Sequence, residues 1–185
     1  SGIRYVRQRF DARGFEDQRF FLNDDRLPAR NDAGVYGYAI TRNDFGLPVL
    51  IRNLGPQGEY WPSAEGAYAV EYERDSVGEV SRARNIGLHG VPVRDSLGCA
   101  VRTFGRDDVG NLTRETCLGE NGNPILNRRW YATVERAYDD RGNNSVTKYL
   151  DASGRATLNK NWVAREVRQY DAEGNVVEVA SYGAK

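Results

Sequence analysis

Residues 139–143 read Asp-Asp-Arg-Gly-Asn, and the Asp-x-x-Gly spacing inside this stretch recurs through the whole chain. Asp suits the first position of a type I turn, because its side chain accepts bonds from backbone N–H groups. Gly supplies the left-handed conformation that closes a hairpin with a bulge. Asn43 takes the place of Asp in one copy. The motif glycines keep a constant interval of 32 residues: Gly14, Gly46, Gly78, Gly110, Gly142 and Gly174.

Three other columns keep the same phase. An apolar residue stands eight positions after each motif glycine, at Leu22, Leu54, Ile86, Leu118, Leu150 and Tyr182. A second turn follows, at Arg26, Gly58, Gly90, Gly122 and Gly154. A third point lies at Gly34, Gly66, Gly98, Trp130 and Trp162. Because Trp replaces Gly there, we predict a bend or bulge that does not need a positive φ.

The segments between these points are short and strand-like, which predicts about three strands in each repeat. Isolated hairpins are marginal, so neighbouring repeats must stack to form a continuous core. We therefore predict an all-β fold, an elongated antiparallel β-repeat array of about six 32-residue units that forms one domain over residues 1–185. A twisted sheet, a solenoid and a barrel all remain compatible with the sequence. The hydrophobic fraction of 39% fits a thin architecture.

Composition excludes some classes of partner. The chain has 26 basic and 26 acidic residues, and this neutrality argues against nucleic acid as a ligand. No run approaches the roughly 20 apolar residues of a membrane-spanning helix. Ser1 and Gly2 are typical of a cloning remnant, so we expect the chain to be part of a longer protein. Cys99 and Cys117 either form a disulfide in an exported protein or are two small buried thiols.

The sequence predicts no catalytic residue, no metal site and no cofactor. His89 is the single histidine, and its position between Gly87 and Gly90 predicts an exposed loop. One histidine and two cysteines do not give the spacing of a zinc site. The Asp column is explained by turn capping. A column of Arg residues precedes the first turn, where we expect solvated ion pairs: Arg42, Arg74 and Arg106.

Aromatic residues provide the candidate binding site. Trp130 and Trp162 occupy the same phase in consecutive repeats, so they should be near neighbours. Tyr36 and Tyr68 form a second phase-matched pair, and Trp61 stands apart. Exposed aromatic rings in register would offer a platform to sugar rings or to an extended peptide. The alternative is that the rings fill core volume between repeats.

Two late motifs point to a known family. Residues 138–143 read Tyr-Asp-Asp-Arg-Gly-Asn, and residues 170–175 read Tyr-Asp-Ala-Glu-Gly-Asn. Both resemble the motif of bacterial RHS/YD-repeat proteins, and residues 149–155 resemble a half-repeat of the same kind. The resemblance implies a strand-rich shell or array within a larger periplasmic, cell-surface or secreted protein. It carries over no catalytic residue, because the motif contains none.

Three functions follow from these patterns. Even spacing of equivalent groups favours a non-catalytic binding or adhesion module that recognises an extended ligand, either a glycan or a protein. The alternative is a structural spacer or shell segment with no ligand of its own. An enzyme is disfavoured, because an array without insertions has no obvious place to build a cleft. The sequence leaves the oligomeric state open.

Overall fold

Each 32-residue repeat folds into a hairpin of one six-residue and one seven-residue strand. The computed structural model describes residues 2–184, which contain no α-helix and a single 3-10 turn at Leu88–Gly90. The strands are β1 (Tyr5–Phe10), β2 (Glu16–Leu22), β3 (Gly37–Arg42), β4 (Pro48–Leu54), β5 (Ala69–Arg74), β6 (Val80–Ile86), β7 (Val101–Arg106), β8 (Leu112–Leu118), β9 (Thr133–Tyr138), β10 (Asn144–Leu150), β11 (Arg165–Tyr170) and β12 (Val176–Tyr182).

The strands divide between two compact units. The N-terminal unit ends at Ser96 and holds β1 to β6, and the C-terminal unit begins at Leu97 and holds β7 to β12. Within each unit, every strand pairs with its neighbours in sequence order, and all pairs are antiparallel. The predicted all-β antiparallel repeat fold is therefore confirmed.

The first turn of each repeat forms as its residues predict. In the turn between β9 and β10, the Gly142 amide donates to the Asp139 carbonyl over 3.0 Å, and the Asp139 amide donates to the Asn143 carbonyl. Asp139 Oδ1 accepts the amides of Arg141 and Asn143. Gly142 has a φ of 81°, and the strand register shifts beside the turn. This pattern is a type I turn closed by a bulge.

The connection to the next hairpin corrects the predicted strand count. Between β8 and β9, a second turn runs from Gly119 to Asn123, and a third runs from Asn127 to Tyr131. The three residues between these turns are too few for a strand and make one isolated bridge, Leu118 to Pro124. Each repeat therefore has two strands and a bridge, and the prediction of three strands is wrong.

The third turn also differs from its prediction. It closes with the same hydrogen bonds as the first turn, so it needs a left-handed residue at the same place whether or not that residue is Gly. Its φ is 79° at Gly34, and it remains positive at Trp130, 73°, and at Trp162, 61°. A left-handed conformation costs a residue other than Gly roughly 1–2 kcal/mol.

Neighbouring hairpins share a short ladder of backbone bonds. Strands β8 and β9 pair through three residues, whereas the two strands of a hairpin pair through six. Side chains bridge the part that the ladder leaves open. The Tyr138 hydroxyl donates to the Leu112 carbonyl over 2.9 Å, and the Tyr170 hydroxyl donates to the Asn144 carbonyl over 2.8 Å.

In the N-terminal unit, arginines at the same phase bridge neighbouring hairpins. Arg42 donates to the Glu16 carbonyl, and Arg74 donates to the Pro48 carbonyl over 2.9 Å. Both guanidinium groups also donate to the carbonyl of the glycine in their own first turn. The expected solvated ion pairs are therefore wrong for Arg42 and Arg74, because backbone carbonyls of the preceding hairpin are their partners. Arg and Tyr thus reach the equivalent carbonyl, each in its own repeat.

The buried residues collect where the connecting segments fold back on the strand ends. Leu54, Val35, Cys99 and Ala132 are almost fully enclosed there. Cys99 and Cys117 form a disulfide with a Cα–Cα distance of 5.2 Å, which decides between the two alternatives that the sequence left open. The ends of the hairpins at the first turns hold no comparable cluster among the described residues.

Candidate binding surface at the stacked third turns

The third turns of consecutive repeats stack through backbone hydrogen bonds. The Ala64 amide donates to the Ala33 carbonyl over 2.9 Å in the N-terminal unit. In the C-terminal unit, the Lys160 amide donates to the Arg129 carbonyl over 3.1 Å. Groups at the same phase therefore lie side by side at this end of the strands.

Trp130 and Trp162 lie together on stacked third turns. Their ring centroids are 5.8 Å apart, with an interplanar angle of 83°, so the edge of one ring meets the face of the other. The exposed fractions are 45% for Trp130 and 69% for Trp162, so the rings do not fill core volume between repeats. Two bulky residues thus hold a strained backbone conformation while much of their surface faces solvent.

The other predicted aromatic residues meet in a different pairing. Tyr36 lies edge to face with Trp61 at a centroid distance of 5.9 Å, and both are half-buried. The Arg30 guanidinium lies over both rings, and its Nε donates to the Tyr36 hydroxyl over 2.9 Å. Phase alone pairs Tyr36 with Tyr68, but among residues 2–184 the ring contact of Tyr36 is with Trp61.

A groove that sequence reasoning missed lies in the C-terminal unit. Its volume is about 290 Å³, and the rings of Tyr131 and Tyr149 lie 4.9 Å apart along it. Its lining residues are Arg129, Tyr131, Tyr149, Asn159, Lys160 and Asn161. One sequence signal could have found the tyrosine pair: its members are 18 positions apart, as are Cys99 and Cys117 in the preceding repeat.

Charge at the third turns differs between the units. Segments 23–36 and 55–68 of the N-terminal unit carry an acidic excess of one and two charges. Segments 119–132 and 151–164 of the C-terminal unit each carry a basic excess of one. Asp32 and Lys160 occupy the same phase, as do Glu65 and Arg129. The lining of the groove therefore contains Arg129 and Lys160 where the N-terminal unit has Glu65 and Asp32.

Shifted pKa values mark turns and ion pairs. The side-chain amide Nδ2 of Asn143 donates to Asp139 Oδ2 over 3.0 Å, and this bond lowers the pKa of Asp139. Asn111 and Asn175 lower the pKa values of Asp107 and Asp171 in the same way. These carboxylates lie at the first turns, at the other end of the strands from the groove. Their shifts therefore reflect turn capping.

Three further findings concern the histidine, the metal-ligating side chains and membrane-spanning helices. His89 is exposed with a φ of 56°, so the prediction of an exposed loop histidine is confirmed. No group of three metal-ligating side chains occurs within residues 2–184. No helix in that part of the chain is long and apolar enough to cross a membrane.

Comparison with known proteins gives matches in structure alone. No protein-family model matches the chain, and no curated protein matches it. The structure is similar to the Photorhabdus luminescens Tc holotoxin pore carrying a mutant TccC3, with a TM-score of 0.41 and 12% identity over 97% of this chain. A crystal structure of TcdB2-TccC3 aligns over 94% of this chain with a TM-score of 0.42 and 12% identity. The chain spans 11% of the length of each of these two chains.

Proposed function

We propose that this chain is a non-catalytic structural segment, a spacer or shell part of a larger exported protein. The observation that carries the proposal concerns the side chain that stands four positions before the first-turn glycine of each repeat. Arg42, Arg74, Tyr138 and Tyr170 all bond a backbone carbonyl of the preceding hairpin. Side chains at this constant phase thus hold consecutive repeats together. The YD-like motifs at 138–143 and 170–175 support the same role.

The disulfide supports a location outside the reducing cytosol. Disulfides persist in the periplasm, at cell surfaces and in secreted proteins. Cys99 and Cys117 are 1% and 3% exposed, so their bond lies within the small buried cluster of the C-terminal unit. We infer that the larger protein is an envelope or secreted protein.

The structural proposal is tested by exchange within the column. The substitution Tyr170→Phe removes the hydroxyl. It should lower the free energy of unfolding by about 1 kcal/mol, because one carbonyl loses its hydrogen-bond partner. Arg74→Leu should also destabilise the protein, and Arg74→Tyr should recover part of the loss. Urea unfolding followed by circular dichroism measures all three. Tyr182→Phe is the control, because the Tyr182 side chain is 50% exposed and its hydroxyl makes no bond within residues 2–184. Equal stability of Tyr170→Phe and the control would contradict the proposal.

A second candidate function, binding of an extended ligand, is favoured by the tryptophan pair. Gly fits the left-handed third turn without strain, yet Trp130 and Trp162 stand there with exposed rings. Trp130→Ala and Trp162→Ala should weaken binding on a glycan array and leave the circular dichroism spectrum unchanged. If the unsubstituted protein binds no glycan on the array, the structural role remains as the single proposed function.

A further inference from the structure

The groove beside the tryptophan turns brings three kinds of chemical group together. The half-buried rings of Tyr131 and Tyr149 lie within it at an interplanar angle of 43°. Arg129 and Lys160 add two exposed cations from adjacent third turns. Asn159 adds a side-chain amide, and the residue as a whole is 9% exposed.

The polar groups of this groove are largely unused by the protein. Within residues 2–184, neither Arg129 nor Lys160 forms an ion pair, and neither tyrosine hydroxyl has a hydrogen-bond partner. Asn159 Oδ1 accepts the amides of Asn161 and Val163, at 2.8 Å and 3.2 Å. Those bonds fix the side chain and leave Nδ2 as a donor without a protein partner in the described chain. Asn159 lines the groove, so this donor is available to a ligand atom.

We propose that this groove binds an acidic saccharide, a sugar ring that carries a carboxylate. The apolar face of the ring packs on Tyr131 and Tyr149, because aromatic side chains pair an apolar face with a polar tip. Arg129 and Lys160 bind the carboxylate through charge-assisted hydrogen bonds. Asn159 Nδ2 donates to a ring hydroxyl. This inference rests on the second candidate function, ligand binding, and names its ligand class.

The same phase elsewhere in the protein lacks these features. The preceding repeat places the Cys99–Cys117 disulfide where Tyr131 and Tyr149 stand. In the N-terminal unit, Val35 and Asn53 take those places. The acidic third turns of that unit would repel a carboxylate. Charge complementarity therefore restricts an acidic ligand to the C-terminal unit.

Isothermal titration calorimetry with tetragalacturonate tests the proposal, and its fully methyl-esterified form serves as the neutral ligand on the same scaffold. The double variant R129Q/K160Q should lose affinity by about tenfold or more, because two charge-assisted contacts are removed. R128Q is the control for charge alone: like each half of the double variant it removes one positive charge, at the adjacent exposed position outside the groove lining. Its affinity should stay within about twofold of the unsubstituted protein, because a charge outside the groove contributes only through screened attraction.

Each remaining outcome overturns the inference in a different way. If the methyl ester binds as tightly as tetragalacturonate, the groove recognises the sugar ring and not its carboxylate. An equal loss in R128Q shows general attraction to a basic surface. Equal binding of tetraglutamate shows an acidic-peptide site. Absence of binding to every probe removes ligand recognition at this groove and leaves the structural role untouched, since that role is tested by unfolding alone.

Discussion

The N-terminal and C-terminal units share one backbone plan and fill it with different chemistry. Both use two-strand hairpins, bulged turns and stacked third turns. The N-terminal unit has Gly34 and Gly66 at the third turns and Arg at the carbonyl-bonding column. The C-terminal unit begins with Gly98 and Arg106 at those positions, and only its last two repeats have Trp130, Trp162, Tyr138 and Tyr170 there. It also has a disulfide, and its segments 119–132 and 151–164 carry a basic excess.

This difference shows which positions the repeat requires and which it leaves open. A positive φ at the third turn is common to both units, so the backbone requires it whatever residue stands there. Arg and Tyr both bond the neighbouring carbonyl, so the bond is required and the residue type is not. Ring exposure and surface charge vary freely between units. The exposed tryptophans and the basic residues lie together at the third turns of the C-terminal unit, the end where we propose a ligand site.

The largest effect is expected when the disulfide of the C-terminal unit is replaced by the corresponding residues of the N-terminal unit. Cys99→Ala with Cys117→Asn gives the C-terminal unit the Ala67 and Asn85 pair of the N-terminal unit. We expect the free energy of unfolding to fall by about 3 kcal/mol, because the unfolded chain loses a cross-link. Urea unfolding with and without reductant measures it. Reductant should shift the midpoint of the unsubstituted protein and leave the variant unchanged; a reductant-insensitive unsubstituted protein would contradict this.

A smaller change in stability is expected from substitutions at the left-handed position of the third turn. Trp162→Gly should be more stable than Trp162→Ala by about 1 kcal/mol, because Gly adopts the left-handed conformation without strain. Gly34→Ala should destabilise the N-terminal unit by a similar amount. Its φ is 79°, and a Cβ there would approach no atom closer than 3.6 Å, so strain alone is tested. Thermal unfolding compares the three variants, and the prediction fails if the two Trp162 variants melt together.

The smallest effect concerns the turn carboxylates. Asn143→Leu copies Leu47 of the N-terminal unit and removes the donor to Asp139 Oδ2. The pKa of Asp139 should then rise toward its ordinary value of 3.8, while Asp171 keeps its lowered pKa as the internal control. Carboxyl carbon chemical shifts followed through a pH titration measure both.

The same substitution has a consequence for acid stability. A lowered folded pKa contributes stability that is fully present above 3.8 and is lost as the pH falls through the folded pKa. Asn143→Leu should therefore be less sensitive to acid below that pH than the unsubstituted protein. An unchanged pKa of Asp139 would show that the two backbone amides alone set it.

The repeat and its turns can be predicted from the amino-acid sequence alone. The Asp-x-x-Gly spacing predicts the first turn because its cap bonds join residues at most four positions apart, as in Asp139 and Asn143. The exposed position of His89 follows from the glycines around it. The second turn is equally local, and its glycine at Gly122 has a φ of 80°.

The contacts between one repeat and the next could not be predicted in this way. Tyr170 and the carbonyl that it bonds are 26 positions apart, and Tyr131 and Tyr149 are 18 apart. No local propensity relates such residues, because their distance depends on the register between hairpins and on the path of the connecting segment. The disulfide and the tyrosine groove follow from that register. The left-handed tryptophans have another cause: the hydrogen bonds that close the third turn impose a positive φ on whichever residue stands there, and Trp does not announce this in the sequence as Gly does.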